Sequence, residues 1–258
     1  MTHIEIRNAS KTFQRNGREF AAFKNVSLTV ERGEFICLLG PSGCGKSTLL
    51  NALAGFEPAT EGLVAIDGET PKAPSVRYVT IFQNYGLLPW RTVRKNVELG
   101  LEALKTPKKT RREIAEKYIE LVGLSEVKNE YPSRLSGGMR QRVAIARALA
   151  VDPEVLFMDE PFGALDPVVR MKLQDDILKI VKQERKTAIL VTHDVEEAAY
   201  LADRVVVMTP NPGRIKKIVT PTTAAGRRDR GSVDFLLTRD KIFEILRTKS
   251  SDGVDYII

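Results

Sequence analysis

Cysteine and histidine are nearly absent from this chain. Its 258 residues include 2 Cys, at positions 37 and 44, and 2 His, at positions 3 and 193. So few cysteines exclude a disulfide framework, and with so little histidine no cluster of metal ligands forms. A reducing compartment is expected. Long apolar runs are missing as well. None approaches the ~18 apolar residues that a spanning helix needs. The opening stretch MTHIEIRNASKTF has no apolar segment of signal-peptide length. Aromatic residues make up 7% of the chain, with 1 Trp. The sequence has no internal repeat and a single glycine-rich loop of the kind described below.

Acid falls short of base, and the formal net charge is +7. The excess is local. Lys105 to Arg112 (KTPKKTRR) contains no acid, and Arg227-Arg228-Asp229-Arg230 is a second basic cluster. Neither is interleaved with the aromatics that a single-strand nucleic-acid groove uses. Solvated surface is the favoured reading, and no nucleic acid is expected as a partner. The length suits one large domain or two small ones, with a core that needs no staples.

The most informative stretch is GPSGCGKST, Gly40 to Thr48. An apolar run, Phe35 to Leu39, precedes it, and Leu49 to Ala54 continues as a helix pattern. Strand, glycine-rich loop and helix follow in the order a phosphate-binding loop requires. Gly40, Gly43 and Gly45 let the backbone curl so that N–H groups point inward. Around them stand Pro41, Ser42 and Cys44. The helix N-terminus adds its own N–H groups and dipole. Lys46 reaches the terminal phosphates, and the Ser47 hydroxyl suits Mg²⁺, with Thr48 beside it.

Other elements follow in chain order. Ile4–Arg7 and Val26–Val30 alternate as strands, with an Asn16-Gly17 turn between them. Gly62–Ile66 and Val76–Phe82 read as further strands. This strand-rich opening predicts a mixed sheet rather than plain α/β alternation. Gln83 ends the Val76–Phe82 strand. The loop after it, Asn84 to Trp90, is unusually apolar, and two readings stay open: a contact surface or a segment tucked into the core. From Thr92 the period turns helical. Thr92 caps a first helix with Val93, Val97, Leu101 and Leu104 on one face. A second helix starts near Thr110, and helical structure continues to about Glu130. Ser136 caps an alanine-rich helix opened by Gly137 and Gly138, a second anion site. One nucleotide does not need two such sites from one chain, which hints at a site shared between subunits.

Val155–Met158 is a buried strand ending in Asp159-Glu160. In a phosphate-loop protein an aspartate there holds Mg²⁺, and an adjacent carboxylate can activate water. Asp166-Pro167 opens a helix to about Lys182. Thr187–Thr192 is a strand ending at His193, which is placed to hydrogen-bond a γ-phosphate. His3 falls in an expected frayed terminus. Asp203–Thr209 and Ile215–Val219 form a strand and its antiparallel edge. A short helix spans Asp240 to Arg247.

These motifs together resemble the nucleotide-binding subunit of ABC transporters, over about residues 1–220. The resemblance implies a P-loop NTPase fold: an α/β, RecA-like core, an antiparallel β subdomain, and a helical insert at about residues 90–150. Residues 221–258 are then a short basic tail with a helix. By resemblance, Gly40–Ser47 is the Walker A loop and Gln83 the Q-loop glutamine, which touches Mg²⁺ and reports to a membrane subunit. Leu135–Gln141 is the signature, with Met139 where glutamine is commoner. Asp159 ends Walker B, Glu160 is the catalytic base, Asp166 closes the D-loop and His193 is the switch histidine. Phe13 matches the aromatic that stacks on adenine, with Phe20 and Phe23 as competitors.

The cofactors so implied are ATP and Mg²⁺. The partners are a second copy of the subunit in a head-to-tail dimer, a membrane permease contacted near Gln83–Trp90, and indirectly a periplasmic or extracellular solute-binding protein. The wording of Phe82–Val93 and Asp159–Asp166 resembles importer cassettes for nitrate, sulfonates, taurine and bicarbonate. The expected location is peripheral, on the cytoplasmic face of the inner membrane. A soluble ABC protein acting on nucleic acid or ribosomes, and a cassette of another transporter class, are the competing readings. From its place at a helix N-terminus, Cys44 is expected to favour its thiolate, so that alkylation blocks ATPase and ATP protects.

Overall fold

A computed structural model describes residues 2–15, 17–221 and 229–248. Asn16, Arg227 and Arg228, named above, lie outside the described residues. The chain divides into two compact units, Met1–Pro74 with Thr187–Ile258, and Ser75–Lys186.

The elements in chain order begin with strands β1 (Thr2–Arg15), β2 (Arg18–Glu31) and β3 (Phe35–Leu39), then helix α1 (Lys46–Leu53) and β4 (Glu61–Ile66). Next come β5 (Tyr78–Ile81), helices α2 (Val93–Val97), α3 (Leu99–Ala103), α4 (Lys108–Leu121) and α5 (Gly137–Ala150), then β6 (Val155–Asp159) and α6 (Pro167–Gln183). The chain continues through β7 (Thr187–Thr192), α7 (Val195–Leu201), β8 (Arg204–Thr209), β9 (Arg214–Val219) and α8 (Val233–Arg247).

In the first unit, β3 lies between β7 and β8 and is parallel to both. Every residue of β3 and of β7 is buried. Strands covered on both faces read as unbroken apolar runs, and FICLL and TAILVT are nearly that. β9 pairs antiparallel with β8, and its exposed Lys217 and Ile218 mark an edge. The early strands form a separate antiparallel sheet in the order β2-β1-β4. Helix α1 packs on β4 and β7, and α8 packs on α7 and β8.

In the second unit, β5 and β6 pair in parallel. Helix α5 packs against α2, α3, α4 and β5. Its alanines permit that close approach: Ala144, Ala146, Ala148 and Ala150 are all buried. Glu98, itself buried, faces Lys95 at 3.0 Å, Arg111 at 3.6 Å and Arg94 at 3.8 Å, joining α2 to α4.

Several sequence expectations are corrected. β1 runs to Arg15, well past Arg7, because bulges between Ile6 and Lys11 break its alternation. The helical run from Thr92 is two short helices, and Leu104 is exposed rather than on the buried face. α4 stops at Leu121, where Gly123 takes φ 66° and ends the helix; only two 3-10 turns follow before α5. α8 begins at Val233, not Asp240, because Ser232 caps it, its Oγ accepting from the Phe235 N–H at 3.2 Å. His3 is buried inside β1 with Nδ1 2.6 Å from the Thr187 hydroxyl, not frayed. The peripheral location on a membrane face is also corrected. No helix among the described residues is long and apolar enough to cross a membrane. The apolar runs are instead short buried strands.

Asn96 was not anticipated. It is fully buried on α2. Its Oδ1 accepts from the Leu88 N–H at 2.8 Å, and its Nδ2 faces the carbonyls of Arg91 at 2.9 Å and of Leu88 and Thr92 at 3.1 Å. The Leu88 end of the apolar loop thus hangs on one amide. It is neither wholly exposed nor tucked away: Leu87 and Leu88 are half-buried, while Trp90 is 72% exposed. Asn96→Leu strands the Leu88 backbone groups and is expected to lower the unfolding free energy by about 3 kcal/mol. Urea denaturation measures it, and a loss under about 0.5 kcal/mol would contradict this account of the loop.

Candidate functional site

The first unit contributes the phosphate-type loop. Gly45 holds φ 82°, and a Cβ there would run into the Ala22 carbonyl. A Cβ on Gly40 would lie 2.7 Å from the Met208 carbonyl oxygen. Neighbouring backbones therefore press against the loop on two sides, and only glycine fits. Gly45 is also the N-cap of α1 and provides no capping side chain, so the first-turn N–H groups are not claimed by one.

Lys46 is buried, with 6% of its surface exposed. Its Nζ donates to the carbonyls of Gly40 at 2.7 Å and Pro41 at 3.0 Å, and lies 3.6 Å from the Cys44 sulfur. No carboxylate pairs with this ammonium among the described residues. A buried cation without a counter-ion, set among helix-end amides, is a site built for an anion. The exposed Ser47 hydroxyl follows at the helix start.

His193 is brought to the same loop. It lines, with Gly40, Pro41 and Ser42, a cavity of about 550 Å³ that also touches Met208, Lys216 and Phe243. The position of His193 is fixed by its neighbours. Asp194 caps α7, its Oδ1 accepting from the N–H groups of Glu196 at 2.8 Å and Glu197 at 3.2 Å. The Thr192 hydroxyl donates to buried Glu197 at 2.7 Å and accepts from the Asp194 N–H at 3.0 Å. Phe13 is half-buried on β1 with the Lys11 ammonium 5.0 Å from its ring centre. Of its competitors, Phe20 is half-exposed opposite Phe13, and Phe23 is fully buried and offers no open face.

The second unit contributes carboxylates and a second helix end. The Gln83 amide nitrogen donates to Glu160 Oε2 at 3.1 Å. Glu160 itself sits at φ 47°, an uncommon conformation for a side chain of its size. Asp159 ends β6. Asp166 caps α6, its Oδ1 accepting from the Val169 N–H at 3.1 Å. Ser136 caps α5, its Oγ accepting from the Met139 N–H at 3.2 Å. Gly137 and Gly138 are close-packed: added Cβ atoms would lie 3.1 Å from the Tyr85 hydroxyl and 3.2 Å from the Ala164 carbonyl. The Ser47 hydroxyl in the first unit and, in the second, the Gln83 carbonyl and the Asp159 carboxylate are each oxygen donors, the kind a hard divalent cation takes.

Two features are missed by reading the sequence alone. One is Arg147, whose guanidinium donates to the carbonyls of Gly86 at 2.6 Å and Tyr85 at 2.9 Å. The other is the state of Cys44. Burial pushes its thiol up, more strongly than nearby Lys46 draws it down. The expected thiolate is therefore corrected: the sulfur is fully buried, and desolvation outweighs the helix end.

Comparison with known proteins gives consistent results. The family model described as ABC transporter matches residues 23–163. An uncharacterized ABC transporter ATP-binding protein of Methanocaldococcus jannaschii is 51% identical over 95% of this chain and 91% of its own length. The nitrate import ATP-binding protein NrtD of Synechococcus elongatus is 44% identical over 94% of this chain and 88% of its own. The aliphatic sulfonates import ATP-binding protein SsuB of Bacillus licheniformis is 43% identical over 95% and 94%. Among solved structures, a dimeric post-hydrolysis ATP-binding cassette bound to ADP and Pi superposes with a TM-score of 0.79 and 32% identity, covering 86% of this chain and 100% of that one.

Both cysteines are free and buried. In the native protein at neutral pH neither is expected to react with a thiol reagent, and both are expected to react once urea unfolds the chain. Rapid labelling of native Cys44 would show the thiolate to be favoured after all.

Proposed function

This chain belongs to the ABC transporter family, and on that premise we propose that it powers import of a small anion such as nitrate, a sulfonate, taurine or bicarbonate. ABC-type ATPase activity, the P-loop NTPase fold with its helical subdomain, and a role in translocation come with membership. The solute class is the further step. It is supported by the names of two relatives, a nitrate and an aliphatic sulfonate import protein. A transmembrane permease contacted at the Gln83–Trp90 loop, with a solute-binding protein beyond it, completes the reading, as does a second copy of this chain. In support of the copy, the similar solved cassettes are dimeric.

One observation carries the ATPase assignment: the buried Lys46 ammonium that no carboxylate among the described residues neutralises. Terminal phosphates of ATP supply the missing negative charge, drawing Lys46 from the loop carbonyls. Amides of Gly40–Thr48 hold the phosphate oxygens, and the Phe13 ring stacks on adenine. Ser47, Gln83 and Asp159 would hold Mg²⁺, which would neutralise charge on the phosphates. Glu160 accepts a proton from the attacking water, and Gln83 fixes that carboxylate through its amide. His193 donates to the γ-phosphate. Ser136, Gly137 and Gly138 of one copy, with Asp166 at the D-loop, close over ATP held by the other. Charge developing on the transferring group meets fixed dipoles and cations, which is the main catalytic device available to such a site.

Glu160→Gln is expected to bind ATP with near-native affinity and to lose about 10³-fold in turnover. Lys46→Ala should lose ATP binding itself. Phosphate release and equilibrium binding of labelled ATP separate the two effects. Wild-type turnover by Glu160→Gln would refute the assigned base. The solute is tested by uptake in a host carrying the adjacent permease: competition by nitrate or an alkanesulfonate supports the anion reading, and competition by cations or sugars alone overturns it.

A further inference from the structure

Phe13 has a charged neighbour that the ATPase chemistry does not call on. Lys11 stands two residues before it on β1, on the same face of the strand. Its ammonium lies over the Phe13 ring, 5.0 Å from the ring centre. Lys11 is buried, whereas a lysine ordinarily keeps its head in water. Two further contacts fix the ammonium, both in the connection from α1 to β4. Nζ donates to the Pro58 carbonyl at 2.8 Å and lies 3.3 Å from Glu57 Oε1. That connection is itself sewn to β1. The Thr60 N–H and hydroxyl both donate to the Ser10 carbonyl, at 2.8 and 3.0 Å, and the Thr60 hydroxyl accepts from the Thr12 N–H at 3.2 Å. The pairing with β2 slips at the same point. Lys11 faces Phe23 and Thr12 faces Ala21, so Ala22 is the extra residue of a bulge. Ala22 carries the carbonyl that closes on Gly45.

We infer that Lys11 is a positioning residue for the nucleotide base: its cation, held against one face of the Phe13 ring, orients that ring and strengthens its stacking on adenine across the other face. The inference rests on the reading above, in which Phe13 takes the base, and extends it to a second residue. The physical reason lies in the charge distribution of the ring. The face of an aromatic ring is negative, and so is the face of a purine, so two bare faces repel as they stack. A cation behind the ring draws its π density away from the side the base uses and lessens that repulsion. The same cation pins the ring, so less freedom is lost when the base arrives. Both effects act on the base and neither acts on the phosphates.

Titration calorimetry on the full chain without Mg²⁺ tests this, because inorganic tripolyphosphate presents the phosphates of ATP without a base. Lys11→Met removes the charge and keeps most of the stem. It is expected to raise the Kd for ATP about fivefold, the effect of one cation–π contact, and to leave the Kd for tripolyphosphate unchanged. In ATPase assays the same variant raises KM by the same factor, with kcat unaltered. Lys11→Arg keeps a cation over the ring and is expected to bind ATP within about twofold of the native chain. In a Phe13→Ala background, Lys11→Met changes nothing further. Equal weakening of ATP and tripolyphosphate overturns the inference, since Lys11 would then only brace the phosphate loop. A loss of ATP affinity that persists in Phe13→Ala overturns it as well. Where urea denaturation shows Lys11→Met unfolded, Lys11→Gln, which can keep the bond to Pro58, carries the same expectation. Phe13→Ala with unchanged ATP affinity sinks the stacking reading itself. A weakened Phe13→Ala beside an unchanged Lys11→Met sinks the role of Lys11 alone.

Discussion

An ammonium group held out of water, with no counter-ion among the described residues, is the constraint on which the phosphate loop is built. Burying a charge costs several kcal/mol unless polar groups replace its hydration. Here the carbonyls of Gly40 and Pro41 do so for Lys46. Those carbonyls point inward only because the loop is wound tightly, and the winding is enforced from outside. The Ala22 carbonyl of β2 closes on Gly45, and the Met208 carbonyl of β8 closes on Gly40. Gly213 is held on β2, its N–H donating to the Ala22 carbonyl at 3.0 Å and its carbonyl accepting from the Lys24 N–H at 2.8 Å. Strands far apart in sequence therefore shape one nine-residue loop, GPSGCGKST. An arriving polyphosphate meets a cation already desolvated and amides already aimed, so little reorganisation remains at binding.

The second unit works by a different economy. Its acid, Glu160, and its loop residues Tyr85 and Gly86 all adopt left-handed backbone conformations. Strain of this kind persists where surrounding bonds over-determine it. Gln83 holds the Glu160 carboxylate, Arg147 holds Tyr85 and Gly86, and Asn96 holds Leu88. One short segment, Gln83 to Leu88, thereby carries contacts to Glu160, to α5 and to α2.

Much of this was legible in the sequence. Phe35–Leu39, Val155–Met158 and Thr187–Thr192 read as strands because burial on both faces leaves an unbroken apolar run. Caps at Thr92 and Ser136 read from local chemistry and are made as expected. What failed to show depends on long-range contact. Arg147 meets residues 61 and 62 positions away, and nothing near it marks the contact. Cys44 looked activated from its helix end alone, but the fold buries the sulfur and reverses the sign. His3 looked terminal and is a core residue bonded to Thr187. Bulges in β1 hid most of a 14-residue strand by breaking its alternation.

The central claim is that the anion site at Lys46 and the anion site at Ser136 act on one ATP from two copies of the chain. Mixing two dead variants tests it most directly. Lys46→Ala lacks the first site and Ser136→Arg blocks the second, so each alone should be inactive. In a head-to-tail pair, the mixed dimer has one site with both defects and one with neither. Phosphate release on mixing is therefore predicted to recover well above either variant. If mixing restores nothing while the two variants demonstrably pair, each chain completes its own site and the account of a shared nucleotide is wrong.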